Sequence, residues 1–217
     1  KKRCALTSEQ QRIFFEFVKN DPRYYKHYDT FVFMVETGLR IGELTGLTLK
    51  DIDWANNTIS IDHQLQVEAG RKRLYIEKTK TEDSIRNIPL TERARESLER
   101  IVKNRNPKNI PEKIVDGYIG FLFLTRTGLP RHVFHYDEVF RNCVDKYNRL
   151  HPIQLPNVTP HILRHTFCTN CINAGMNVKS VQYLMGHATS AMTLDVYADS
   201  NLEKVNEDMQ LLNIASV

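Results

Sequence analysis

At 217 residues, 41% of them hydrophobic and 26% charged, the chain can bury one sizeable core or at most two small ones. That composition is ordinary for a globular protein, and it contains no internal repeat, no low-complexity tract and no apolar run of membrane-spanning length. A net charge of +4 permits an anionic partner without demanding one. The charge is uneven: residues 86–108 hold seven Arg or Lys against three acids, while residues 199–210 hold four acids against one lysine. Four cysteines (Cys4, Cys143, Cys168, Cys171) show no disulfide-framework spacing, which points to reduced thiols and a cytoplasmic setting. The start, KKRCALTSEQ, lacks the apolar core of a signal peptide.

In chain order, Ser8 with Gln11 three residues on predicts an N-cap for a helix through about Asn20. Tyr25 to Thr37 fits a second, apolar helix ended by Gly38, and Ile41 to Leu47 a short third one. Thr58 to Asp62 alternates polar and apolar residues as a half-buried strand does, and Arg73–Lys80 and Ile85–Leu90 are further strand candidates of one small antiparallel sheet. Thr91 caps a charged amphipathic helix to about Asn104. Pro107 to Gly120 is loop-like, Phe121 to Leu124 a short apolar strand, and Val133 to Leu150 helical again. Pro152, Pro156 and Pro160 break the chain before another helix, with Pro160 in its first turn. Asn201 to Asn213 predicts a last helix with Leu202, Val205, Met209 and Leu212 on one stripe. The class is α+β, mostly α-helical with a small antiparallel β-sheet.

The densest chemistry lies in TPHILRHTFCTNCINAGMNVKSVQYLMGHATSAMTLDVYAD. His161 and Arg164 are three apart and share a helix face; His187 follows a second helical stretch, and Tyr197 stands ten residues beyond it. Two imidazoles, a guanidinium and a phenol suit in-line attack of a tyrosine hydroxyl on a phosphodiester. The pattern resembles the second active-site box of the tyrosine recombinases, the integrase family of phages and conjugative transposons. ETGLRIGELTGLTLKDID resembles the first box, with Arg40 as a catalytic arginine and Glu43 as its acidic support. RLYIEKTKTEDSIRNIPL resembles the strand–turn–strand that carries the family's catalytic lysine. Lys80 best matches that register, and Lys78 stands as the alternative on the same side of an extended strand.

The resemblance implies the catalytic domain of the DNA breaking–rejoining fold. It casts residues 1–6 as a linker remnant after an N-terminal DNA-gripping domain, and residues 199–217 as a tail for exchange between protomers. Its partners would be double-stranded DNA at recombination sites, three further copies in a tetramer on two duplexes, and an excision accessory protein. It implies no membrane association, no metal and no other cofactor. The chemistry of the residue types agrees. Guanidiniums stay charged and donate paired hydrogen bonds to phosphate oxygens, which suits Arg40 and Arg164. Tyrosine, with an ordinary pKa near 10, needs help to act as the nucleophile, and His161 can take or relay its proton. His187 would donate to the phosphate, and a lysine among cations is a fitting acid for the leaving 5′-oxygen.

Each residue alone has a bland reading: Arg40 a helix cap, His161 and Arg164 surface groups, Tyr197 a core ring, Lys80 a solvated turn, Glu43 a helix N-terminal acid. Their joint order and spacing outweigh that. Lys78, Arg86, Arg93 and Arg95 are candidate DNA contacts, although a charge run is more often a solvated face. His165, Cys168 and Cys171 at i, i+3 and i+6 could suggest zinc, but such ligands rotate away from one another on one helix. The competing functions are a recombinase-like domain that binds DNA without cutting it and a type IB topoisomerase.

Overall fold

A computed structural model describes residues 5–187, apart from 69, 71–72, 79–84 and 107, together with Thr189 and Thr193. Helix α1 (Ser8–Asn20) ends where expected but starts from a different cap: Thr7 Oγ1 accepts from the Gln10 amide at 3.2 Å, and Gln10 Oε1 accepts from Thr7 N at 3.0 Å. Thr7 rather than Ser8 keeps the extended backbone a cap needs. The apolar helix expected from Tyr25 divides into a 3-10 turn, Tyr25–His27, and α2 (Tyr28–Thr37), because the Asp21 carbonyl accepts from both Tyr24 N and Tyr25 N and tightens the entry. Gly38 stops α2 in the left-handed conformation at φ 63°, and α3 (Ile41–Gly46) follows.

Strands β1 (Ile52–Asp53), β2 (Thr58–Ile61) and β5 (Arg86–Pro89) form one antiparallel sheet in the order β1-β2-β5. Strands β3 (His63–Val67) and β4 (Leu74–Lys78) pair separately, so the expected single sheet is two. The split has a packing cause. A Cβ on Gly46 would lie 2.9 Å from Leu65 N and one on Gly42 3.2 Å from Leu65 O, so α3 sits directly on the backbone of β3 and draws it away from β2. The expected strand at 121–124 is not a strand: only the bridges Thr48↔Phe121 and Leu124↔Pro130 form, and all four of its residues are buried between loops.

Helices α4 (Glu92–Asn104, capped by Thr91) and α5 (Val133–Leu150) keep their expected bounds. Helix α6 (Pro160–Asn173) begins with Pro160 in its first turn behind a Thr159 cap, and α7 (Val178–Met185) ends at Gly186. The main core joins α1, α2 and α5 through the stacked rings of Phe14, Phe31 and Phe140, all three fully buried. Each such side chain contributes roughly 1.5–3 kcal/mol through burial. Ala94, Leu98 and Ile101 of α4 complete that core, and α6 adds Ile162 and Leu163. The far half of α6 packs against α7 through Phe167, Cys168, Cys171, Val181 and Met185. Among the described residues no helix is long and apolar enough to cross a membrane. The expected last helix, Asn201 to Asn213, lies outside the described residues.

Candidate active site

The left-handed turn at Gly38 carries the chain under α6: a Cβ there would stand 2.2 Å from Phe167 Cδ1, so no larger residue fits. Two residues on, Arg40 becomes the N-cap residue of α3. The Glu43 carboxylate accepts from Arg40 N and Arg40 Nη1, both at 2.8 Å. It also accepts a two-pronged bond from Arg86, Nη1 at 3.1 Å and Nη2 at 2.8 Å. Burial alone would raise the Glu43 pKa, but hydrogen bonds from Arg86 and the charges of Arg86, Arg40 and Arg164 hold it down to about 2.

The carboxyl end of α7 completes the arrangement. Three consecutive carbonyls each accept from a different guanidinium: Leu184 O from Arg86 Nε at 2.8 Å, Met185 O from Arg164 Nη2, and Gly186 O from Arg40 Nη2 at 2.8 Å. These are the carbonyls a helix end leaves without intrahelical partners, at the negative pole of its dipole. Gly186 is required here, with φ 58° and Arg86 Nη1 only 2.9 Å from where a Cβ would sit. The Leu-Met-Gly-His segment is thus a socket for three arginines. Arg164 also donates to Gly38 O at 2.7 Å; burial, then the neighbouring Arg40, lowers its pKa to about 9, and it stays cationic at neutral pH.

His187 follows the socket, its Nδ1 3.0 Å from Thr193 Oγ1. Burial and then the charges of Arg164 and Arg40 push its pKa down to about 4, so at neutral pH it is uncharged and offers one N–H. His161 stands exposed on the first turn of α6, with its Nε2 2.8 Å from His165 Nε2. Arg40, His161, Arg164 and His187, separated by up to 147 positions in the chain, line one cleft of about 440 Å³. Gln64 and Gln66 of β3 line it too, and Glu77 of β4 accepts from the Gln64 amide at 2.8 Å. The alternation HQLQV is a readable strand signal for those glutamines that the strand ending at Asp62 passes over.

Other expectations fare differently. Lys80 and Tyr197 lie outside the described residues. Lys78 is exposed at the end of β4, paired across from His63 and away from the cleft lining. Arg86, expected as a DNA contact, is instead wholly buried with its donors spent on Glu43 and Leu184. Arg93 pairs with Glu36 and lines a different cleft with Lys19 and Arg100, while Arg95 pairs with Glu99 and lies over the Trp54 ring. Cys168 and Cys171 are buried against Val181 and Met185, and burial pushes both thiols up to about 11. Among the described residues, Asp51, Asp62 and His63 bring metal-ligating atoms within 4.8 Å of one another. Both His63 nitrogens are already engaged, Nδ1 with Asp62 at 2.5 Å and Nε2 with Gly46 O at 2.9 Å, so the group pins α3 to β3.

The profile of the phage integrase family matches residues 5–204. The chain belongs to the phage integrase family. Among curated relatives, this integrase-family chain is 44% identical over 213 residues to the transposase from transposon Tn916 of Enterococcus faecalis, covering 97% of this chain and 51% of that protein. It is 29% identical over 178 residues to the integrase of Staphylococcus phage L54a, covering 80% of this chain and 48% of the relative. The chain spans about half the length of the curated relatives it matches. In structure it superposes on the Tn1549 transposon integrase, solved in complex with circular intermediate DNA, with a TM-score of 0.88 at 42% identity, covering 98% of this chain and 68% of that one. The XerA recombinase shares the fold at a TM-score of 0.69 and 21% identity, over 96% of this chain and 63% of that one. The α+β architecture is that of tyrosine recombinase catalytic domains.

Proposed function

We propose that this domain cuts and rejoins double-stranded DNA as the catalytic part of a mobile-element integrase or transposase. The observation that carries the reading is the single cleft in which Arg40, Arg164, His161 and His187 converge, with the two guanidiniums oriented by fixed acceptors before any substrate arrives. A phosphodiester in that cleft meets preorganised positive charge where its non-bridging oxygens gain charge in the transition state. In the proposed step Tyr197 Oη attacks phosphorus and the bond to the 5′-oxygen breaks. His161 takes the phenol's proton and Lys80 supplies one to the leaving oxygen. The product is a 3′-phosphotyrosine and a free 5′-hydroxyl, and the reverse attack by a new 5′-hydroxyl reseals the strand. The phosphodiester energy is kept in the covalent link, so the step draws on no nucleotide, and guanidinium charge takes the part a metal plays in other nucleases.

Glu43 and Arg86 hold Arg40 in place, and His187 donates to the phosphate. Residues 1–6 serve as a linker from an upstream DNA-gripping domain, and residues 199–217 as a tail that docks on a neighbouring copy. Four copies on two duplexes, joined by an accessory protein for excision, form the working assembly, and the setting is cytoplasmic. The relatives' names, an integrase and transposases, and the DNA in the Tn1549 integrase structures support this reading. On a nicked suicide duplex the wild type forms a covalent protein–DNA adduct, and Tyr197→Phe abolishes it while retaining DNA binding. An adduct that survives Tyr197→Phe overturns the assignment of the nucleophile. Sequence-specific binding without cleavage under any assembly condition overturns the enzymatic reading.

A further inference from the structure

A second cleft, of about 230 Å³, opens where the 3-10 turn before α2 meets α4 and the start of α5. The ten residues of α2 lie between it and the turn that carries Arg40, a rise of roughly 15 Å. Six basic side chains line it, Lys26, His27, Arg100, Arg105, Arg131 and His135, against one acid, Asp29. Two of the six are already neutralised: Arg100 Nε donates to Asp29 at 2.7 Å, and Arg105 Nη2 to Glu112 at 2.6 Å. The other four meet no carboxylate among the described residues. Arg131 Nη1 lies 3.1 Å from His135 Nε2. A guanidinium only donates, so His135 Nε2 is the acceptor and its remaining proton sits on Nδ1. The His27 ring stacks on Phe31 and lies 5.8 Å from that of His135, yet neither of its nitrogens has a hydrogen-bond partner among the described residues. Burial, then the charges of Lys26, His135 and Arg131, push the His27 pKa down to about 3. Burial, Arg131 and His132 lower that of His135, and Glu138 opposes them there. The cleft therefore concentrates positive potential on polar groups that the fold itself does not use.

We propose that this cleft is a second anion site, which takes a tetrahedral oxyanion of the phosphate class on Arg131 and Lys26, with the His27 and His135 rings as further donors. The volume suits that ligand: one water claims roughly 30 Å³ of liquid, so five heavy atoms and part of their hydration fit. The chemistry suits it as well. Arg131 is half-buried and held at one nitrogen by His135, so its guanidinium is oriented before an anion arrives, and its other N–H groups can bond two oxygens at once. Lys26 is exposed at the rim and adds a mobile charge. A phosphate has two sources, a free phosphorylated solute or the backbone of a DNA strand that passes this end of α2. Both present the same oxygens to the same four side chains. The inference stands apart from the proposed cleavage chemistry, since none of these residues lines the cleft of Arg40 and Arg164.

The test titrates inorganic phosphate, at constant ionic strength, into DNA-free protein labelled with 15N-histidine. In wild type the His27 and His135 ring signals shift together and saturate. Arg131→Gln weakens that binding about tenfold or more, because a charge-assisted, two-pronged contact is lost. Lys26→Gln, at an exposed position that carries no packing, weakens it about threefold, and Lys50→Gln, a solvated lysine elsewhere, leaves it unchanged. A parallel titration of duplex DNA separates the sources. If the phosphate belongs to DNA, Arg131→Gln and Lys26→Gln each lower the affinity and reduce the slope of log K against log salt by about one. If it belongs to a free solute, DNA affinity stays at the wild-type value while phosphate binding is lost. Histidine signals that do not saturate, or that saturate alike in wild type, Arg131→Gln and Lys26→Gln, overturn the proposal. So does a loss of phosphate binding in Lys50→Gln as large as in Lys26→Gln, which would reduce the site to general surface charge.

Discussion

Two arginine-rich regions of this molecule behave in opposite ways. Around the end of α7, Arg40, Arg86 and Arg164 donate to three successive carbonyls, to Gly38 O and to the buried Glu43 carboxylate. Along α4, Arg93, Arg95 and Arg100 reach Glu36, Glu99 and Asp29 with side chains 40–50% exposed. Exposed pairs of the second kind contribute about 0–1 kcal/mol, because water competes for both partners. Removing one partner of a buried pair costs about 3–5 kcal/mol, because the other charge is left desolvated. The difference teaches that the acceptors a guanidinium finds, rather than the density of basic residues, separate an oriented site from a solvated face.

The comparison is broken most directly at Glu43. Glu43→Gln leaves Arg86 buried without its anion, and urea unfolding shows a loss of about 3–5 kcal/mol. Its pH dependence follows with a definite sign. The Glu43 carboxyl titrates near 4.5 when unfolded and near 2 when folded, so its contribution is whole above pH 4.5 and disappears as pH falls toward 2. In wild type this amounts to roughly 3 kcal/mol, and Glu43→Gln lacks it. A Glu43→Leu, Arg86→Met pair recovers most of the loss if the bridge orients Arg40 more than it stabilises the fold, and cleavage stays impaired.

Gly38→Ala comes next, at about 2–4 kcal/mol in the same assay, since it combines a left-handed backbone with a Cβ 2.2 Å from Phe167. His187 gives a smaller, pH-dependent signal. Its folded pKa lies below the ordinary 6.5, so the unfolded chain binds the extra proton, and stability declines as pH falls from about 6.5 toward about 4. His187→Gln flattens that part of the stability profile. Arg95→Ala closes the series with a change under about 1 kcal/mol, and a larger loss would mean that α4 is no solvated face.

Much of the local structure was legible. Thr91, Pro160 and the flanking loops located α4, α5 and α6, because caps and breakers act within a few residues of their own position. The ordered boxes also brought forward four side chains, Arg40, His161, Arg164 and His187, that line one cleft. Arg86 reads locally as a surface cation, since its partner Glu43 is 43 positions away and nothing nearby in the chain marks it as buried. The split into two sheets is equally hidden, because it depends on how closely α3 approaches Leu65, which two glycines permit and no periodicity reveals.

By itself, then, the chain's order of residues determined which segments coil, where they stop, and which polar groups carry the chemistry, since those are matters of neighbours within a turn or two and of motif spacing. Only the tertiary structure decided which of three arginines lose their water and which carbonyls hold them. Desolvation and hydrogen-bond partnership are properties of the space between elements, and that space exists only once distant segments have packed.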